Sequence, residues 1–141
     1  MGLDMYLYAK KFYWHNEPQP VIAGKPDTFQ VTYVTVEAAY WRKANQVHAW
    51  FVEHVQGGTD NCETYFVSRD DLRKLVDTCK VILADRDKAD ELLPTQSGFF
   101  FGSQDYDDWY FKDLEDTISQ IERALNELPE EQWEFEYRSS W

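Results

Sequence analysis

Apolar and polar positions along the chain follow two periods, one near 3.6 and one of 2. The longest stretch of the first kind is 36–55, VEAAYWRKANQVHAWFVEHV. Tyr40, Ala44, Val47, Phe51 and Val55 fall at i, i+4, i+7, i+11 and i+15, which predicts one amphipathic helix of about five turns. Trp41, Asn45, His48 and Val52 form a second stripe beside it, while Arg42, Gln46 and Glu53 point away. Thr35 is placed to cap the start, and Gly57-Gly58 follow the last periodic residue. A second helix is predicted after Ser68, whose hydroxyl begins a capping box with Asp71. Leu72, Leu75, Val76, Cys79, Ile82 and Leu83 give it an inner face, and a short charged helix over 84–93 stops at Pro94. A third carries Leu114, Ile118, Ile121, Leu125 and Leu128 and ends at Pro129.

Period-2 alternation marks the two ends. Leu3, Met5 and Leu7 alternate with Asp4, Tyr6 and Tyr8; Trp133, Phe135 and Tyr137 alternate with Glu134, Glu136 and Arg138. These two strands are expected to pair. Residues 63–67 read as a short strand, and 29–34 as another or as the entry to the first helix. Pro18, Pro20, Gly24 and Pro26 make 15–26 a loop. The segment 95–103, TQSGFFFGS, is apolar without alternation, as in backbone buried on both sides or a strand leading into a helix. The predicted architecture is α+β: one domain over 1–141, with a small, mostly antiparallel sheet and about three helices on one face.

Charge changes this picture in one region. The 141 residues carry a net charge of −12, yet residues 104–136 hold twelve acidic groups against only Lys112 and Arg123. The remainder is nearly balanced. Direct nucleic-acid binding by the acidic third is therefore excluded, and a partner with a basic surface is favoured. Six Trp and nine Tyr are too many to bury with every polar tip satisfied, so aromatic rings are expected at an interface or pocket. No apolar run approaches the roughly eighteen residues of a membrane span. Two cysteines without a CxxC spacing, Cys79 on a helix's apolar face, point to a reduced, cytosolic chain.

Candidate chemistry is sparse. Trp41, Asn45 and His48, joined by Tyr106 and Tyr110, are candidates to line one ligand pocket; an Asn and a His beside an indole suit a planar polar ligand. The competing reading makes His48 a histidine bonded to a backbone carbonyl and Asn45 a helix–loop tie. His48 and His54 are roughly 240° apart on a helix, there is no HExxH, and Asp105, Asp107 and Asp108 lack the rest of a calcium loop. No metal or cofactor is expected. A phosphate at the start of the third helix would meet those same aspartates.

Three stretches, GLDMYLYAKKFYW, YWRKANQVHAWFVEHVQGG and LLPTQSGFFFGSQDYDDWY, together resemble a family of small uncharacterised bacteriophage and prophage proteins. The likeness covers nearly the whole chain. The family has no assigned activity, so it implies no site residue. It implies a phage protein in the cytoplasm of an infected bacterium, a setting in which small acidic proteins often inhibit or sequester host machinery. The leading expectation is a non-enzymatic protein that binds a host protein through an acidic, aromatic C-terminal face that includes Asp107, Asp108, Glu115 and Glu122. The alternative is a small-molecule binder or enzyme with its pocket beside the first helix. A homodimer suits either.

Overall fold

The computed structural model describes residues 2–98 and 101–141. Four strands, β1 (Asp4–Phe12), β2 (Tyr33–Arg42), β3 (Tyr65–Val67) and β4 (Glu134–Ser140), form one antiparallel sheet in the order β2-β1-β4-β3. The helices are α1 (Asn45–His54), α2 (Arg69–Ala84), the short α3 (Ala89–Leu92) after a 3-10 turn at Arg86–Lys88, and α4 (Asp108–Glu127). The α+β class holds, with the first and last strands paired from Asp4↔Ser140 to Lys10↔Glu134.

Alternation decides which face is buried. Met5, Leu7 and Ala9 of β1 and Phe135, Tyr137 and Ser139 of β4 point into the core with Ala39 and Trp41 of β2. Val47 and Phe51 of α1, Leu72, Leu75, Val76, Cys79 and Ile82 of α2, and Leu114, Ile121 and Ala124 of α4 pack onto it. Ser68 caps α2 by accepting from the Asp71 N–H at 3.0 Å, and Asp107 caps α4 by accepting from the Tyr110 N–H at 3.1 Å.

The predicted helix over 36–55 is corrected. Its first part is the strand β2, and only Asn45–His54 is helical. The cause is a bulge: Leu7 pairs with Ala39 but Tyr8 pairs with Glu37, so Ala38 is the extra residue. Val34 and Val36 lie on one side of it and Ala39 and Trp41 on the other, at opposite parity, which erases the period-2 signal. The β-branched run Val34-Thr35-Val36 suits the strand. Residues 29–32 precede β2 as loop. Phe99 and Phe100 of the aromatic run lie outside the described residues.

The strand-to-helix junction is tight. Lys43 turns with φ of 57°, its N–H donating to the Leu3 carbonyl at 2.7 Å. Gly102 packs against it. A Cβ there would sit 3.0 Å from the Lys43 Cβ and 3.3 Å from its carbonyl oxygen, and the φ of 87° suits glycine.

Beyond the bulge, helix α4 covers the free edge of β2. The Gln120 amide accepts from the Tyr40 N–H at 2.9 Å and donates to the Tyr40 carbonyl at 3.0 Å, as a neighbouring strand would. Gln120→Ala is expected to cost about 1 kcal/mol, seen as a lower urea midpoint at unchanged slope. Gln120→Glu should lose nearly as much, since a carboxylate cannot donate to the Tyr40 carbonyl.

Candidate functional site

Helix α1 is buried almost all round in its first two turns, although three of those residues are polar: Asn45, Gln46 and His48. Burial of polar groups is tolerated only with partners, and each has them. The Asn45 amide donates to the carbonyls of Phe101 (3.0 Å) and Ser103 (2.8 Å) and accepts from the Gln96 N–H (2.9 Å). It ties Gln96, Phe101 and Ser103 to the helix. Gln46 donates to Asp113 Oδ2 at 3.2 Å.

His48 is 1% exposed and engaged at both nitrogens. Nδ1 lies 2.6 Å from the Tyr137 hydroxyl, and Nε2 lies 2.9 Å from Asp60 Oδ1. Burial pushes the imidazole's pKa down, against the opposing pull of Asp60, while burial raises the Tyr137 phenol well above its ordinary range. The consistent pattern is therefore neutral: Tyr137 O–H donates to Nδ1 and Nε2–H donates to Asp60. Asp60 Oδ1 also accepts from the Trp141 indole N–H at 3.2 Å. Among the described residues, Asp60 Oδ2 has no hydrogen-bond partner.

His48 and Asp60 line a cleft of about 350 Å³ between α1 and residues 92–97 with Phe101. Trp50, Leu92, Leu93, Pro94 and Phe101 supply apolar wall; Gln46, Gln96, Ser97, His54 and Glu53 supply polar groups. The Phe101 ring meets the His48 ring edge-on, with centroids 5.4 Å apart. The described lining has two carboxylates and no Lys or Arg, a field that attracts cations and rejects phosphates.

Of the five pocket candidates, only His48 lines this cleft. Trp41 sits on β2, its indole N–H donating to Thr117 Oγ1 at 2.8 Å, so it ties sheet to α4 inside the core. Asn45 serves as the helix–loop tie. Tyr106 is exposed and accepts from the Thr95 N–H at 3.2 Å. Tyr110 is buried and donates to the Leu93 carbonyl at 2.7 Å, which seats the end of α3. Asp60, Trp50 and Tyr137 were missed. Tyr137 carried a signal, since a tyrosine at an inward strand position needs a polar partner and His48 was one of two polar residues, with Asn45, on the stripe beside the core. Asp60, in a surface turn, carried none.

The acidic-face candidates separate in the same way. Asp107 is the α4 cap, and Glu122 pairs with Lys80 of α2 at 2.6 Å. Asp108 and Glu115 are exposed. A smaller groove holds Asp105, Asp107 and Asp113 beside Arg42, Lys43, Trp109 and Tyr110. In it burial raises the Asp113 carboxyl from 3.8 to about 6, opposed by the Gln46 hydrogen bond. Cys79 is buried, its thiol pushed up to about 12 by burial, whereas Cys62 is exposed and outside the cleft. Among the described residues, no three His, Cys, Asp or Glu side chains converge on a metal position, and no helix is long and apolar enough to cross a membrane.

No protein-family model, curated protein or solved structure matches the chain.

Asp60→Asn should move the His48 titration, followed by imidazole NMR, further below 6.5, because Asp60 alone raises it; Tyr137→Phe should cost about 1–3 kcal/mol by stranding buried Nδ1. For Asp113, the raised pKa means that the folded state holds a proton the unfolded chain releases. Its stabilisation is present below 3.8 and is lost as pH rises through about 6. Asp113→Asn should therefore be more stable than the parent at pH 8, with the gap closing toward pH 4 in urea melts.

Proposed function

We propose that the chain binds a small, hydrogen-bond-donating ligand, cationic or a neutral heteroaromatic amine, in the cleft beside α1. The observation that carries this reading is the Asp60 carboxylate. One oxygen is pinned by His48 and Trp141, and the other has no partner among the described residues, at the wall of a cleft with aromatic sides. Such an acceptor needs little reorganisation to receive an N–H. The volume suits a ligand of modest size. Neutral His48 adds no positive charge to oppose a cation, and Glu53 adds a second carboxylate.

A second reading is favoured by Trp109, 79% exposed beside Asp108. It is the binding of a host protein with a basic surface through the acidic C-terminal third, where Asp108 and Glu115 are exposed and form no ion pair among the described residues. The resemblance to bacteriophage and prophage proteins supplies the setting, the cytoplasm of an infected bacterium, and an inhibiting or sequestering role. A homodimer through the same rings is its competitor.

Thermal melts with a panel of heteroaromatic amines and polyamines, set against nucleotides, test the cleft. At 100 times its Kd a ligand adds about 2.7 kcal/mol. An amine should raise the melting temperature, nucleotides should not, and Asp60→Ala should abolish the shift. A panel without effect, or a shift that survives in Asp60→Ala, overturns the cleft reading.

A further inference from the structure

The outer face of the sheet carries exposed aromatic rings at one end. Where β1 runs out beside the start of β2, Phe12 and Tyr33 face each other as a cross-strand pair, and Trp14 follows two residues on. The three rings remain 39%, 53% and 62% exposed in the order Phe12, Tyr33, Trp14. They do not stack into a closed pile. Phe12 meets Trp14 at 86° with centroids 4.6 Å apart, and meets Tyr33 at 60° and 5.1 Å. Rings set at such angles leave faces open as the walls of a groove, here about 520 Å³ in volume.

Four carboxylates border it: Glu17 from the loop after β1, and Glu130, Glu131 and Glu134 from the turn into β4. None of the four forms an ion pair among the described residues. The two lysines of the groove are both engaged. Lys10 lies 4.7 Å from the centre of the Tyr33 ring and 3.8 Å from Glu136. Lys11 lies 4.6 Å from the centre of the Tyr13 ring and 3.4 Å from the Gln132 amide oxygen. The rings at this end of the sheet thus already draw cations onto their faces, and carboxylates remain over.

We infer that this groove receives an arginine side chain of a basic polypeptide, its guanidinium against Trp14 and Phe12 and its N–H groups toward the carboxylates of the Glu130–Glu134 turn. A planar guanidinium stacks on an aromatic face and offers a fork of donors to a carboxylate, which a compact ammonium does not. Nucleic acid, the other partner for exposed rings, would bring phosphates against the four glutamates. The inference deepens the host-protein reading and rests on it. It moves the docking surface from the exposed turn of α4 to the end of the sheet, and shares no lining residue with the α1 cleft.

Isothermal titration of the full chain at low salt with a ten-residue peptide holding three arginines tests it, alongside the same peptide with citrulline at those positions. The arginine peptide should bind and the citrulline peptide should not. Affinity should fall at least tenfold in Trp14→Ala and in Glu130→Gln/Glu131→Gln, all exposed positions, and change less than twofold in Asp108→Asn/Glu115→Gln. Loss confined to that last variant would overturn the groove and leave the host-protein reading standing. No binding to the parent chain would overturn both. Concentration-dependent self-association that Trp14→Ala abolishes would make a second copy the occupant and overturn the peptide proposal, as would single-stranded DNA binding that Trp14→Ala removes.

Discussion

A hydroxyl carried into an apolar core has to find a partner there, and in this protein that constraint organises the interior. Tyr137 is fully buried on the inner face of β4 with its ring stacked on Phe51, centroids 3.9 Å apart. Leaving its O–H unbonded would cost on the order of 1–3 kcal/mol. His48 supplies the acceptor and so fixes how α1 lies on the sheet. The second nitrogen of His48 then needs an acceptor of its own, which brings Asp60 back from the turn after α1. Each bond in this chain creates the requirement that the next one meets. The last group, the Asp60 carboxylate, reaches the surface with one oxygen that no described residue engages. The cleft owes one wall to this relay, and the other to Asn45, which holds Gln96, Phe101 and Ser103 through three hydrogen bonds.

Much of the fold was legible because the forces that build it act at short range. The capping of α2 by Ser68, the inner faces of α2 and α4, and the strands at both ends are written in spacings that the structure keeps. β2 was not legible. A single bulged residue, Ala38, shifts its parity halfway along, and the remainder then mimics the first turns of a helix that begins only at Asn45. The site was legible only in its helical part. His48 stood out as a polar residue on a core stripe, but its partners lie 12 and 89 residues away, beyond the reach of any local pattern. Trp41 fell on that stripe only because the strand was read as helix.

The acidic charge of the C-terminal third also sorts by structural role. Asp107 stabilises a helix end, Glu122 bridges to α2, and Asp116 and Glu127 pair with Lys112 and Arg123 one turn away. Exposed pairs of this kind contribute little to stability, but they remove those carboxylates from any outward field. Among the described residues, the carboxylates without an ion pair gather at two places, the start of α4 with Asp105 just before it and the turn from Pro129 into β4. Net charge alone could not separate these, since both lie in one acidic stretch of sequence.

The second of these places also gathers three rings on the face of the sheet that no helix covers. The sheet presents its inner face to the helices, so aromatic residues at outward positions of β1 and β2 have no partner layer within the chain. Phe12, Trp14 and Tyr33 could have closed on one another; the angles between them show that they do not. Lysine ammoniums settle over neighbouring rings instead, and the glutamates of the β4 turn stand free at the rim. The same selection operates in the α1 cleft, where a fixed carboxylate stands among aromatic walls without a basic side chain among the described lining. Two surfaces that share no residue thus favour the same chemistry, a cation with an apolar or planar body. They differ in access. The cleft is lined chiefly by one helix and the loop tied to it, and suits a small molecule. The groove lies at the end of an open sheet, where a polypeptide can approach along the strands.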